Sequence, residues 1–135
     1  MVSTGVESAS RLPLWLRQPL PDAVSLDRMR GLLRGAGLHT VCEGAHCPNL
    51  GRCWNKGAAT FLILGDTCTR QCRFCAVGSG IPEPVNAGEP LAIAQAVKTL
   101  GLRYVVITSV TRDDLEDEGA GQFACTVLEV KAAAP

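Results

Sequence analysis

The amino-acid sequence predicts an α/β fold that starts from one β-α-β unit, and three stretches support this prediction. Residues 60–65, Thr-Phe-Leu-Ile-Leu-Gly, form a short apolar run of the kind found in buried parallel strands. A second such run, Tyr-Val-Val-Ile-Thr-Ser-Val, occupies residues 104–110. Between the two runs, apolar residues recur at the spacing of one helix face, at Ile93, Ala96, Val97 and Leu100. A helix between two strands is the usual crossover connection of a parallel pair. We therefore expect the two strands to pair side by side in parallel.

The crossover helix has recognisable signals at both ends. Glu89 and Pro90 supply an acidic charge and a fixed φ for the first turn, and Gly101 supplies a C-terminal stop. Residues 119–134 predict a further helix after the second strand. Within it, we expect Cys125 to be a small buried hydrophobic residue.

Residues 1–58 predict an N-terminal extension that precedes the alternating β/α region at residues 59–135. Three prolines within residues 11–22 exclude a continuous helix, so we expect an extended arm there, anchored by Trp15. Ser25 is placed to cap a short amphipathic helix that follows the arm.

Composition disfavours several classes of partner. The 135 residues include 13 basic and 13 acidic side chains and only 4% aromatic residues, which argues against nucleic acid and anionic membranes. The aliphatic runs fall short of the roughly 20 residues that cross a bilayer. The first ten residues lack a basic start and an apolar core, so no clear leader or transit peptide is predicted. We therefore expect a protein of the cytoplasm, with the mitochondrial matrix or a plastid as alternatives.

Seven cysteines stand out in this composition, and six of them fall into two triplets. In a reducing compartment such cysteines are metal ligands rather than disulfide partners. Cys68, Cys72 and Cys75 form the spacing C-x₃-C-x₂-C directly after the first strand. Thiolates this close on one loop can hold three irons of a cuboidal iron–sulfur cluster and leave the fourth iron open. Because a catalytic metal site keeps an open position for substrate or cofactor, we predict a reactive loop.

Two polar stretches are expected to meet at the carboxyl ends of the strands, where α/β folds place their sites. Arg70 and Arg73 flank the thiols and are expected to favour their anionic form, while Phe74 shields one side of a cluster. After the second strand, hydroxyl and charged groups suit the amine and ribose of a cofactor. The candidate cofactor-binding residues are Thr108, Ser109, Arg112, Asp113 and Asp114. An ordinary solvated loop is the alternative for both stretches.

The other triplet, Cys42, Cys47 and Cys53, has the spacing C-x₄-C-x₅-C. Its glycine, proline and asparagine residues predict a turn-rich loop around a second iron–sulfur cluster. Zinc is the alternative, although structural zinc sites favour C-x₂-C pairs and four ligands. His39 and His46 are expected to face solvent or to lie outside the ligand set.

Together, the two triplets resemble the lipoyl synthase family of the radical S-adenosylmethionine superfamily. The C-x₃-C-x₂-C run with an aromatic residue before its last cysteine is similar to the superfamily signature. The C-x₄-C-x₅-C run is similar to the motif that marks this family. The resemblance extends from about Leu12 to Ala124. Further similar stretches are Leu14–Arg17, Leu64–Arg70, Tyr104–Val110 and Arg112–Asp114.

The resemblance implies a partial radical-SAM type β/α barrel with two 4Fe-4S clusters. The C-x₃-C-x₂-C triplet would hold the cluster that binds S-adenosylmethionine, and the C-x₄-C-x₅-C triplet an auxiliary cluster. Reductive cleavage of the cofactor gives a 5′-deoxyadenosyl radical, and sulfur is inserted at carbons six and eight of a protein-bound octanoyl group. The implied partners are an octanoylated lipoyl carrier domain or glycine-cleavage H protein, and a reducing donor such as ferredoxin or flavodoxin.

The sequence departs from the family pattern in two respects. Family members are longer, complete the barrel with further strands and end in an Arg-Ser-Ser-Tyr motif whose serine ligates the auxiliary cluster. Glu118 stands where the family usually has glycine. We therefore expect two parallel strands with both sheet edges unpaired, a marginally folded chain, and no turnover by this chain alone. The alternative interpretations are a non-catalytic iron–sulfur-binding fragment and a different radical enzyme.

Overall fold

The computed structural model describes Pro13, Leu16, Arg17 and residues 22–135. Most of the predicted N-terminal arm, including its Trp15 anchor, lies outside the described residues. Within the described part, no helix combines the length and the apolar character that a membrane span requires. The division of the chain after residue 58 stays a prediction.

The first described helix is α1, Ala23–Gly35. Its N-cap is Asp22, not Ser25 as predicted. The Asp22 carboxylate accepts bonds from the Ser25 backbone N–H at 3.0 Å and from the Ser25 hydroxyl at 2.9 Å. A carboxylate accepts strongly from the unpaired N–H groups of a first turn, so the helix begins earlier than predicted. Met29 and Leu33 are its buried residues, as the apolar spacing predicts.

The C-x₄-C-x₅-C segment is more regular than predicted. It follows the strand β1, His39–Thr40, and lies largely in two short helices, α2, Val41–Gly44, and α3, Leu50–Asn55. The prediction of a turn-rich loop is therefore wrong for most of the segment. The Thr40 hydroxyl accepts the Glu43 N–H and so caps α2. The turn-forming residues Pro48 and Asn49 fall between the two helices.

The remaining elements are β2, Ala58–Ile63, β3, Thr67–Cys68, β4, Gly78–Ser79, α4, Glu89–Leu100, β5, Tyr104–Ser109, and α5, Ala120–Ala133. β2 and β5 pair in parallel over six positions, from Ala58 opposite Tyr104 to Ile63 opposite Ser109. Since α4 lies between them in the chain, the predicted β-α-β unit is confirmed. Gly101 ends α4 with a φ of +62°, a conformation that a residue without Cβ adopts freely.

One edge of β2 is covered by an element that was not predicted. β1 pairs antiparallel with β2, with His39 opposite Leu62 and Thr40 opposite Phe61, so the main sheet has the order β1-β2-β5. The expectation that both edges of the parallel pair are unpaired is therefore wrong. A two-residue strand is too short to show alternation in the sequence. The sheets of the described residues are small and do not close into a barrel.

The hydrophobic core surrounds β2, in which Phe61 and Ile63 are fully buried. The prediction of a buried second strand is wrong, because Tyr104 is 68% and Val106 is 38% exposed. Among the described residues β5 has only β2 as a neighbour. An edge strand has fewer neighbours to remove its side chains from water.

Helix α5 packs against α4. The prediction that Cys125 is buried is wrong, because Cys125 is exposed and the next residue, Thr126, is fully buried instead. The Thr126 hydroxyl donates to the carbonyl oxygen of Gln122 at 2.8 Å, which satisfies this polar group inside the core. Successive residues of a helix point about 100° apart, so Cys125 falls on the outer face.

Candidate metal centre and cofactor site

The C-x₃-C-x₂-C triplet lies just beyond the carboxyl end of β2, on a loop that closes on itself. β3 and β4 pair in parallel, with Cys68 opposite Ser79. The Gly80 N–H also donates to the Cys68 carbonyl oxygen at 3.0 Å. These bonds bring together the two ends of residues 68–79, which we call the cysteine loop.

The outer part of the cysteine loop presents two thiols to solvent. Cys72 and Cys75 are both exposed, and the Cys75 N–H donates to the Cys72 carbonyl oxygen at 3.0 Å in a tight turn. Both residues line a cavity of about 550 Å³. Phe74 is 93% exposed, and that it shields one side of a cluster stays a prediction. The loop is therefore open on its outer side.

Cys68 is the inner, half-buried thiol of the loop. Its sulfur accepts the backbone N–H of Arg70 at 3.4 Å and that of Thr111 at 3.3 Å. Burial raises the pKa of this thiol, but the two N–H groups favour the thiolate and the pKa of Cys68 is lowered overall. The thiolate is the form that binds metal. The sequence predicted that arginine side chains favour the thiolate. At Cys68, backbone N–H groups do so instead.

The Arg70 guanidinium instead binds a carboxylate at the end of β5. Its Nε and Nη2 atoms donate to Asp113 at 3.0 and 2.6 Å, and the Thr69 hydroxyl donates to the same carboxylate at 2.6 Å. Hydrogen bonds from Arg70 and Thr69 lower the pKa of Asp113 to about 2. The Thr69 N–H also donates to the Thr111 carbonyl oxygen at 3.1 Å. We call this set of bonds the clasp, because it fastens the cysteine loop to the chain that follows β5.

The other predicted cofactor-binding residues lie at the same end of the sheet. Thr108 and Ser109 are the last two residues of β5. Arg112 is only 2% exposed, and its Nε and Nη2 atoms donate to both carboxylate oxygens of Asp114 at 2.8 Å each. The structure thus gathers these residues beside the cysteine loop, although two of them already bind each other. That they bind a cofactor stays a prediction.

The C-x₄-C-x₅-C triplet lies on the segment that connects β1 to β2. β1 is antiparallel to β2, and α3 leads into the amino end of β2 at Ala58. Cys42 is 7% exposed, whereas Cys47 and Cys53 are half-buried. The two triplets thus lie on two separate segments of the chain, one before and one after β2.

Neither histidine joins a triplet. His46 is exposed, with a φ of +49°, on the turn between α2 and α3. His39 is partly exposed, and its Nδ1 atom lies 3.9 Å from a carboxylate oxygen of Asp66. Both positions agree with the expectation that these side chains face solvent.

Each triplet offers three thiols, the donor type that holds iron–sulfur clusters. A cuboidal iron–sulfur cluster binds each thiolate at a different iron corner, so its ligands stand farther apart than those around one ion. Two sets of three thiols, together with the N–H groups directed at Cys68, fit such clusters chemically.

Sequence reasoning missed three residues that build this end of the sheet. Thr69 and Thr111 are 42 positions apart, and nothing in their local sequence pairs them. Glu89 was assigned to the helix dipole, yet it is 5% exposed and accepts the Leu64 N–H at 3.0 Å. The available signal is that both threonines lie just beyond strand ends, where sites of parallel sheets form.

Comparison with known proteins finds similar sequences. The chain is 52% identical to lipoyl synthase of Thiobacillus denitrificans over 129 residues and 57% identical to that of Pyrobaculum calidifontis over 125 residues. It is 53% identical to lipoyl synthase 2 of Thermosynechococcus vestitus over 125 residues. Over the length that it spans, the chain is thus similar to proteins named lipoyl synthase. No family model matches the chain.

The lipoyl synthase relatives are longer than this chain. The alignments cover 92% to 96% of the chain, but only 42% or 43% of these three relatives. The chain therefore spans about two-fifths of the length of the relatives that it matches. This agrees with the predicted resemblance to a part of the family pattern.

Proposed function

We propose that this chain forms the cluster-binding part of an enzyme that inserts two sulfur atoms, at carbons six and eight, into a protein-bound octanoyl group. The proposal depends chiefly on one observation: two cysteine triplets precede and follow β2 in a chain that is 52% and 57% identical to two lipoyl synthases over the length that it spans. One triplet has two exposed thiols, and the other has one thiol buried in the core. Two clusters with different tasks would explain this division.

Cys68, Cys72 and Cys75 would hold the cluster that meets S-adenosylmethionine. Such a cluster, when bound, supplies the electron for reductive cleavage of that cofactor. Two backbone N–H groups favour the thiolate of Cys68, and a cavity of about 550 Å³ lies beside Cys72 and Cys75. The polar amino-acid part of the cofactor would lie toward Thr108 and Ser109, with Arg112, Asp113 and Asp114 as the nearest charged groups.

Cys42, Cys47 and Cys53 would hold the auxiliary cluster, which supplies the sulfur. The burial of Cys42 and the two short helices around the triplet suit a cluster that is enclosed by protein. An enclosed site limits loss of sulfur to solvent before the substrate arrives. The partners proposed for the complete enzyme are an octanoylated lipoyl carrier domain or glycine-cleavage H protein, and a low-potential donor of the ferredoxin or flavodoxin kind. The cytoplasm is the proposed compartment.

A non-catalytic cluster-binding role is the second candidate. It is favoured by the exposure of Cys72 and Cys75 on the cysteine loop, because a radical reaction needs a site that excludes water. The two candidates bind the same clusters. They differ in whether an octanoylated carrier is converted.

Anaerobic reconstitution with iron and sulfide tests the proposal. We expect about eight irons per chain, as two four-iron clusters require. Zinc held in place of iron would contradict the proposal. Mass spectrometry of an octanoylated carrier domain then separates the two candidates, because sulfur added at carbons six and eight by this chain would exclude the non-catalytic role.

A further inference from the structure

The chain enters the cysteine loop through a strained residue. Leu64 directly follows β2 and has a φ of +68°, and Gly65 after it has a φ of +92°. A leucine in the left-handed region is strained, because its Cβ atom crowds the next carbonyl oxygen. Leu64 is also buried, at 4% exposure, so solvent does not hold its backbone polar groups. Its conformation sets the direction in which the chain leaves the sheet.

Two buried charged side chains bind both polar groups of the Leu64 backbone. The Leu64 N–H donates to Oε2 of Glu89 at 3.0 Å, and its carbonyl oxygen accepts from Nη1 of Arg112 at 3.4 Å. Glu89 is 5% and Arg112 is 2% exposed. Glu89 is the first residue of α4, and Arg112 follows β5. Two elements that come later in the chain therefore hold this one turn.

A third element completes the enclosure. A Cβ atom at Gly119, just before α5, would overlap Cδ1 of Leu64, so only glycine allows this approach. Gln122 of α5 donates to the same Glu89 oxygen at 3.1 Å. The Asp114 carboxylate accepts hydrogen bonds from the Nε and Nη2 atoms of Arg112. Both charged groups that reach Leu64 are thus oriented by further partners.

The cost of this arrangement indicates a role beyond stability. Burying a charged side chain costs several kcal/mol, and apolar residues of similar volume often stabilise a fold as well or better. A strained conformation persists where several surrounding contacts hold the residue in place. Such residues cluster at functional sites. Here the buried charges converge on Leu64, a strained residue four positions before the first thiol of the cysteine loop.

We propose that Glu89 and Arg112 are positioning residues for the cysteine loop. They fix Leu64 in its left-handed conformation and thereby direct the loop toward the end of β5, where the clasp closes on it. Neither side chain needs to touch the cofactor for this role. The inference deepens the proposed function and rests on it only for the cluster that the loop would hold.

Amide hydrogen exchange of the metal-free chain tests the positioning role. In Glu89→Ala, the Leu64 N–H loses its acceptor and the turn is no longer fixed. We expect exchange at Thr69 and Thr111 to become about tenfold faster or more, while the amides of β2 and α5 change less than about threefold. Glu89→Gln keeps an amide oxygen for Leu64 and should restore most of the protection. Glu129→Ala, which removes an exposed acid of α5, is the matched control and should change neither threonine.

Arg112→Lys is the second variant. An ammonium group lacks the planar fork that reaches Asp114 and the Leu64 carbonyl oxygen together, so we expect the same local pattern. An equal acceleration in every element would show that these residues only stabilise the fold. Unchanged exchange at Thr69 and Thr111 would likewise overturn the positioning role.

Iron uptake by the unaltered chain distinguishes a failure of the positioning role from a failure of the proposed function. If the unaltered chain binds no iron, the proposed function fails, whereas a local exchange effect still supports the positioning role. If it binds iron and the variants exchange like the unaltered chain, the positioning role alone fails.

Discussion

The two cysteine triplets precede and follow the same strand, β2, and differ in their surroundings. On the segment before β2, Cys42 is 7% exposed and belongs to the hydrophobic core. At the carboxyl end, Cys72 and Cys75 are exposed on a loop that short backbone ladders and the clasp hold in place. The first site is fixed by apolar packing, and the second by hydrogen bonds to its neighbours.

This difference shows how one residue type can serve two kinds of site. Ligands within a core are fixed as the chain folds, and little room is left beside them. A site that must keep one coordination position free cannot be packed closed, so it needs bonds from outside the loop instead. The clasp and the Leu64 turn provide such bonds. The contrast therefore supports an enclosed sulfur-supplying cluster and an open cofactor-binding cluster, as proposed.

Iron content should show the largest contrast between the sites. We expect alanine at all three C-x₄-C-x₅-C cysteines, or at all three C-x₃-C-x₂-C cysteines, to remove about half of the iron, since each triplet would hold one cluster. Iron and sulfide analysis after anaerobic reconstitution measures this. Cys125→Ala is the control and should lose no iron. A variant of either triplet that loses all iron would contradict two independent sites.

The second largest contrast between the sites is expected in the free energy of unfolding of the metal-free chain. Cys42→Ser places a hydroxyl in the core and should lower the free energy of unfolding by about 1–3 kcal/mol. Cys72→Ser changes an exposed position and should stay within about 0.5 kcal/mol. Urea unfolding followed by circular dichroism compares the two variants. Equal losses in the free energy of unfolding would show that Cys72 is packed as firmly as Cys42.

Acid should weaken the carboxyl-end clasp through Asp113. Its folded-state pKa is lowered from 3.8 to about 2, so its stabilising contribution is complete above pH 3.8 and is lost as the pH falls toward 2. We expect the unaltered chain to be more stable than Asp113→Asn above about pH 4, with the difference vanishing near pH 2. Thermal unfolding of both chains across this range measures it. A difference that does not depend on pH would assign the effect to something other than the carboxylate.

The smallest effect is expected at Glu118, also at the carboxyl end. Its φ is +53°, a region that disfavours side chains with a Cβ atom. Glu118→Gly should raise the free energy of unfolding by about 0.5 kcal/mol, because relief of strain exceeds the added freedom of the unfolded chain. Glu116→Gly, at an exposed residue without positive φ, is the control and should not stabilise. Destabilisation by Glu118→Gly would show that the carboxylate makes a compensating contact.

The regular part of the fold was predictable from sequence because its elements are long enough to show a period. β2, α4 and the C-terminal stop at Gly101 follow from apolar spacing and one glycine. β1 has two residues and no period, and the helices of the C-x₄-C-x₅-C segment are too short for one. The exposure of β5 and of Cys125 depends on what packs against them, which local sequence does not contain.

The candidate site was predictable in its ligands but not in its supports. The spacing of six cysteines identifies both triplets, and strand ends place one of them. The bonds of the clasp connect residues more than 40 positions apart, as between Arg70 and Asp113. Charged residues on a loop are usually solvated, so the burial of Arg112 and Glu89 appears only when the strands are paired.

The most direct test is the electron spin resonance spectrum of the reduced chain with and without S-adenosylmethionine. The variant to use carries alanine at Cys42, Cys47 and Cys53, so that the C-x₃-C-x₂-C site is observed alone. We predict a cluster signal that shifts when the cofactor is added, because the cofactor binds at the open iron. A signal that the cofactor leaves unchanged would contradict an open, cofactor-binding cluster on the cysteine loop.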